Sequence, residues 1–287
     1  ANLNPDLGEI ETDSSSDYDV TYTYGDYQSA IETAGDLGVR SLNVLTENAN
    51  IKNTIKTTLN DIAADFDFKR AFVSATPEIN EADINNYTPD EQDWRLVEIA
   101  PSRATSSDGT VRLQSAICGL LSSQPLGPDG SILYDEISGI ESIRTEYRGV
   151  DAKDFSGVTA VARNGSVATA ETTSTDKQFS NIYAVEIIDE VALRLFNVAR
   201  DYAGGPQDLG DLTTLLRGVL VTASSGNPPL LGFARDVNEE PFDINVGFGT
   251  DNTVADANIT IVPSPIAEKV NIGLTVTDGF VQFSGVQ

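Results

Sequence analysis

Apolar and polar positions along this chain alternate in short, well-bounded blocks, and the blocks predict an ordered series of helices and strands. From Asp26, the residues Tyr27, Ala30, Ile31, Ala34 and Leu37 recur at helical spacing, and Gly38 closes the segment. Val39–Leu45 reads as a strand, and Asn50 is expected to cap a second helix with the stripe Ile51, Ile55, Leu59 and Ile62. Arg70–Ala75 reads as the next strand. Helix, strand, helix, strand with short links predicts an α/β layer with parallel pairing.

The middle of the chain is richer in loops. Glu78–Asp93 is polar, Trp94–Ala100 reads as a strand, Pro101–Gly109 as a loop and Thr110–Leu121 as a helix. Ser122–Gly130 is a turn-rich connection, and Ile143–Val150 fits neither period. Gly157–Arg163 and Ser166–Thr172 flank Asn164-Gly165, which predicts a hairpin, because Asn-Gly suits a tight turn with positive φ.

The stretch Phe179–Val276 organises the rest. An apolar, strand-like run, Ile182–Val185, leads into an amphipathic segment, Glu186–Tyr202. Gly204-Gly205-Pro206 interrupts it, and a second amphipathic segment runs from Asp208 to about Thr222. Three extended runs follow, Pro241–Phe248, Ala257–Val262 and Lys269–Thr277, the last two separated by Pro263-Ser264-Pro265, which cannot continue a ladder. Residues 1–19 are polar and acidic and predict an arm, after which Val20–Tyr24 alternates like a short strand. The expected fold class is α/β with α+β character, a compact core of helices on mixed sheets. The expected divisions are 1–19, 20–180, 181–277 and 278–287.

Composition narrows the chemistry. Acidic residues number 44 against 18 basic ones, a formal net charge of −26. A nucleic acid or an anionic membrane needs a basic face, so both are poor partners. The acidic residues are dispersed, and lysine is scarce at six residues against twelve arginines. Such a surface suits molar salt, where the Debye length falls to ~3 Å and self-repulsion is screened. No apolar run reaches ~18 residues, so no membrane-spanning helix is expected. Ala1–Pro5 has neither a basic nor an apolar region, and the expectation is a protein made and folded in the cytoplasm without a signal peptide.

Histidine is absent, which excludes Ser-His-Asp and Cys-His catalysis and His-ligated metals. The single Cys118 lies in an apolar run and reads as a small buried hydrophobe. Gly247–Asn252 lacks the third glycine of a dinucleotide fingerprint, and Asp236–Gly247 fails as a calcium loop at its sixth and twelfth positions, Pro241 and Gly247. Carboxylate pairs such as Asp189/Glu190 and Glu239/Glu240 are expected on a solvated face. No catalytic residue, metal or cofactor is expected.

Read together, the order of elements resembles the tail sheath protein of contractile-tailed viruses and related injection machines. The resemblance rests on Gly25–Ala75, on Gly157–Thr173, on Asn181–Tyr202 and most specifically on Ala257–Val276, a strand, a proline break and a strand. It covers roughly residues 20–287. With the acidic composition, it resembles the sheath of a virus of a salt-loving archaeon.

What the resemblance implies is a structural role. Copies of the subunit would polymerise helically around an inner tail tube and contract to drive it through the host envelope. The partners would be neighbouring copies, the tube protein, and baseplate and tail terminator proteins. The site would be the virion tail, with assembly in the host cytoplasm. The resemblance also implies extended arms that add strands to a neighbour's sheet, with Val20, Tyr22, Tyr24, Ile272, Leu274, Val276, Phe280 and Val281 as the linking positions. Val20–Tyr24 fits an ordinary edge strand of its own domain equally well. Two alternatives stand beside the sheath: another virion or injection-machine component (baseplate or capsid), and a carboxylate-dependent hydrolase of a halophile.

Overall fold

The computed structural model describes residues 2–4, 9–11, 27–36, 39–64, 67–75, 88–107, 109–126, 130–143, 157–162, 165–176, 179–202, 209–232, 240–248, 255–264, 273–277 and 280–284. Two short strands, β1 (Asn2–Asn4) and β2 (Glu9–Glu11), pair antiparallel where the sequence predicts only an arm. Then come α1 (Tyr27–Asp36), β3 (Ser41–Asn43), α2 (Ala49–Ala63), β4 (Arg70–Ser74) and β5 (Leu96–Ala100). A small hairpin, β6 (Arg103–Ser106) and β7 (Gly109–Arg112), precedes α3 (Leu113–Ser122). After β8 (Ser142–Ile143) and β9 (Thr159–Ala160), the chain builds α4 (Ile182–Tyr202) and α5 (Leu209–Ser225). It ends in β10 (Phe242–Phe248), β11 (Ala255–Ile261), β12 (Gly273–Thr277) and β13 (Phe280–Ser284).

The centre is a parallel sheet in the order β3-β4-β5-β9, with Leu42 beside Ala71, Phe72 beside Val97 and Ile99 beside Thr159. Both central strands are buried at every position, as a sheet covered on two faces requires. Ala71, Val73 and Leu96 point toward α1 and α2, where they meet Ile31, Ile55 and Leu59. Phe72, Val97 and Ile99 point the other way, onto Leu113, Ile117 and Leu121 of α3 and Ile182 and Tyr183 of α4. A separate cluster joins Ile187 and Val191 of α4 to Leu220 and Ala223 of α5 and to Phe242 of β10. Helix α4 thus belongs to two cores. The architecture is α/β, with parallel and antiparallel sheets.

The helices from Asp26 and Asp208 and the strands at Arg70, Trp94 and Pro241 fall where the pattern predicts them. Other details differ. Asn48, not Asn50, caps α2: its Oδ1 accepts from the N–H groups of Asn50 (2.9 Å) and Ile51 (3.4 Å). Ile182–Val185 is the first turn of α4 and not a strand. Asn181 Oδ1 accepts from Tyr183 N–H at 2.9 Å and Ala184 N–H at 3.4 Å, and Ile182, Tyr183 and Val185 of this turn are all buried, which is why the run is apolar without a helical period. The segment read as loop then helix, Pro101–Leu121, opens with β6 and β7, a polar hairpin that periodicity cannot reveal.

The Asn164-Gly165 hairpin is cut short. Gly165 has φ of +83°, and Ala162 N–H donates to Ser166 O at 2.7 Å, as a tight turn requires. The return leg forms the Val161–Val167 bridge and Ala168 N–H donates to Ala160 O at 2.8 Å, while the other edge of Thr159-Ala160 pairs with β5 in parallel. Thr169 Oγ1 fills the gap, accepting from Ala160 N–H and donating to Val158 O. Val20–Tyr24 lies outside the described residues.

Candidate functional site: a charged joint and two open sheets

Three strands of the parallel sheet open on a cation: Arg40 just ahead of β3, Lys69-Arg70 at β4 and Arg95 just ahead of β5. Parallel pairing sets these residues at one end of the sheet, where the strands begin and α4 crosses with Glu186, Asp189 and Glu190. Residues three and four apart share a helix face, so the three carboxylates meet the arginines together. Arg95 Nη2 donates to Asp189 Oδ1 at 3.1 Å and Nη1 to Oδ2 at 3.3 Å. Arg70 Nη1 lies 2.6 Å from Glu186 Oε1 and Nη2 lies 3.5 Å from Asp189 Oδ2. The contact at Arg70 Nη1 is ionic and poorly directed, since that nitrogen makes no hydrogen bond. Arg40 and Arg194 both bind Glu190, at 2.7 and 2.8 Å.

The network is a joint between sheet and helix. Arg95 is buried beneath the rings of Trp94 and Phe68, 4.4 and 5.0 Å from its guanidinium carbon, so its charge is desolvated and needs Asp189. Asp189 is itself buried, which corrects the expectation of a solvated Asp189/Glu190 face. Burial pushes the Glu186 carboxyl above its ordinary range, with Asp189 adding to the rise, and Arg70 and Arg40 offset only part of it. Burial also opposes ionisation of Glu190, yet hydrogen bonds from Arg40 and Arg194 prevail and hold its carboxyl below the ordinary range. Neighbouring carboxylates on one helix are therefore driven in opposite directions. Arg40, Arg70, Glu186 and Asp189 of the joint line a cleft of about 400 Å³ together with Phe68, Leu193, Phe196 and Arg200.

A second ionic pin holds α2 to the sheet. Lys52, fully buried, contacts Glu98 of β5 and lies 3.0 Å from Asp90 Oδ2, while Lys56 pairs with Glu91. Glu98 falls on the α2 face of β5 together with Leu96, so the pin is a product of strand alternation. Among the described residues, no group of three or more acidic or sulfur side chains could hold a metal, and no helix is long and apolar enough to cross a membrane. Cys118 is buried, and burial pushes its thiol up. Glu240 of the other carboxylate pair binds Arg217 at 2.7 Å; Glu239 lies outside the described residues.

Among the described residues, the terminal strands pair as small two-stranded sheets. β10 and β11 pair with each other, Phe242 beside Ile261 and Ile244 beside Ile259, and this face lies on α4 and α5. A groove of about 710 Å³ runs beside β11, lined by Ala184 and Ile188 of α4, Ile259, Ile261 and Pro263. β12 and β13 form another pair, with Leu274 beside Phe283, Val276 beside Val281 and Thr277 beside Phe280. Four of the predicted linking residues, Leu274, Val276, Phe280 and Val281, are thus in one hairpin; Val20, Tyr22, Tyr24 and Ile272 lie outside the described residues. Sequence reasoning missed the joint, although arginines heading successive strands in a chain with 18 basic residues were a usable signal.

No family model matches the chain, and no curated protein matches it in sequence. Solved structures do match. A chain of the anti-feeding prophage (AFP) helical sheath in its contracted state aligns with a TM-score of 0.59 at 11% identity, covering 88% of this chain and 76% of that one. A chain of the contracted PVC sheath complex, an extracellular contractile injection system, aligns with a TM-score of 0.58 at 12% identity, covering 78% and 68%. A chain of the contracted AFP baseplate gives 0.63 at 11% identity, covering 87% and 76%. Across most of its length, this chain has the fold found in contractile-sheath assemblies.

Proposed function

We propose that the chain is the structural subunit of a contractile sheath, polymerising helically around an inner tube and contracting to drive it through an envelope. The observation that carries this reading is the match to contracted sheath chains over 78–88% of the sequence. The subunit's own construction supports it. A body held by buried ionic joints can rotate as one piece, while main-chain ladders at its margins keep neighbours connected. β11, with its groove beside α4, is the receiving edge; the Val20–Tyr24 segment and the strands bearing Leu274, Val276, Phe280 and Val281 are the donors. A heterologous contact of this kind does not close on itself and generates stacks.

The partners are neighbouring copies, the tube protein, and baseplate and terminator proteins of a virus tail or injection machine. The work is mechanical and requires no catalytic residue or cofactor. A net charge of −26 makes close packing of copies depend on screening, so the sheath is suited to molar salt. The likeness to a baseplate chain favours one second reading, a ring component of the baseplate. Electron microscopy of the purified protein from low to multimolar salt separates the two. Stacked tubes with a wide lumen, lost on deleting residues 1–19 or 278–287, support the sheath. Single closed rings support the baseplate, and a small monodisperse particle at every salt defeats both.

A further inference from the structure

Lys52 is a fully buried amine that meets two carboxylates. Its Nζ touches Glu98 of β5, which is buried with it, and lies 3.0 Å from Oδ2 of Asp90 in the segment leading into β5. Lys52 shares a helix face with Ile55 and Leu59, and Glu98 shares a strand face with Leu96. Those three apolar side chains belong to one fully buried cluster, so the amine and the Glu98 carboxyl meet out of water. Asp90 sits at the margin, its side chain 36% exposed. The segment that carries it is held on both sides. Pro89 ahead of it is buried, Lys56 pairs with Glu91, and Asn60 Nδ2 donates to Asp93 Oδ2 at 2.7 Å. Lys52, Lys56 and Asn60 follow one another at helical spacing, so one stripe of α2 grips Asp90, Glu91 and Asp93 in order.

We propose that Lys52 and Asp90 condense into an isopeptide bond, with Glu98 as the proton carrier. The three groups are the set that amide formation needs: a nucleophile, a carboxyl carbon and a base beside the nucleophile. Lys52 Nζ passes a proton to Glu98, and the neutral amine attacks Cγ of Asp90, one bond beyond the oxygen it already faces. As the N–C bond forms, Glu98 returns its proton and the nitrogen gives up a second, both to one Asp90 oxygen. That oxygen leaves as water when its bond to Cγ breaks. The charges of Lys52 and Asp90 cancel, and Glu98 ends ionised as it began. Proximity supplies the activation, since well-oriented partners within one molecule react at effective molarities of about 10⁵–10⁸ M. The exposed side of Asp90 gives the water a way out. The product replaces an ion pair whose ammonium is desolvated with a neutral group, which removes a cost of burial.

The bond ties α2 to the segment ahead of β5 across 38 positions, and it restrains the unfolded chain as a disulfide would. It forms within one subunit, whether or not copies assemble. Intact-mass spectrometry of the folded full-length chain, followed by tryptic mapping, tests it. The wild type is expected to weigh one water less than its sequence, with the peptides carrying Lys52 and Asp90 recovered as one branched species. Asp90→Ala, a change at a partly exposed position, is expected at its full sequence mass. Asp90→Asn is expected to weigh one ammonia less than its own sequence, because the amide nitrogen leaves in place of the oxygen. Glu98→Gln keeps the shape of the side chain and is expected to stay unlinked. Wild-type protein at its full sequence mass overturns the proposal. Loss of water without the branched peptide, the sign of a succinimide at an aspartate, overturns it equally. A linked Glu98→Gln protein overturns Glu98 as the proton carrier.

Discussion

Arg95 and Asp189 face each other across the joint in a two-point contact, 3.1 and 3.3 Å, with both side chains buried. They are 94 positions apart, and their pairing fixes α4 against the start of β5. Removing one partner strands the other charge out of water. Asp189→Ala is therefore expected to cost about 3–5 kcal/mol, while the double variant Arg95→Met/Asp189→Leu recovers most of it. Urea unfolding of the two variants measures this, and equal losses would contradict it.

Glu186 and Glu190 should respond oppositely to pH. The Glu186 carboxyl is raised in the folded protein, so its contribution is fully present below the unfolded value near 4.5 and is lost as pH rises through the folded value. At neutral pH its charge burdens the fold, and Glu186→Gln is expected to unfold at the same or slightly higher urea. The Glu190 carboxyl is lowered, so its contribution is present above 4.5 and is lost as pH falls through the folded value. Glu190→Gln should weaken the protein at neutral pH and not in acid. Unfolding midpoints of both variants across pH 3–7 check the signs.

The cap of α2 is a single side chain. Asn48→Ala should cost about 1 kcal/mol, and Asn48→Asp should be tolerated because its carboxylate accepts the same two N–H groups. Asn50→Ala should be close to neutral. Thermal unfolding of the three variants distinguishes the cap from its neighbour.

Leu59 and Leu215 are both helical leucines in apolar stripes, but Leu59 is fully buried against the sheet and Leu215 is 49% exposed on α5. Leu59→Ala should cost about 2–5 kcal/mol, and Leu215→Ala in the dissociated subunit should stay within roughly 0.5 kcal/mol. Equal losses would mean that α5 is buried more deeply than its exposure indicates.

What the sequence determined by itself was whatever depends on local period and on composition. The stripe Ile51, Ile55, Leu59 and Ile62 could form only a one-faced helix, and Arg70–Ala75 and Trp94–Ala100 read as strands because the parallel sheet buries them on both faces. The absence of histidine removed whole classes of chemistry, and the net charge set the terms for any partner. Tertiary structure decided the rest. Ile182–Val185 is helix because Asn181 caps it and it continues into α4, and four apolar residues carry no period that distinguishes helix from strand. β6 and β7 exist because they pair with each other, which no count of apolar residues reveals. The joint brings Arg70 to Asp189 over 119 positions. A charge paired at such a distance looks, in sequence, like any other charge on an acidic surface. Tyr134 is the sharpest case: it is the third residue of the turn closed by Asp135 N–H on Ile132 O, where turn chemistry favours glycine, and only the fold shows a tyrosine there at φ +70°.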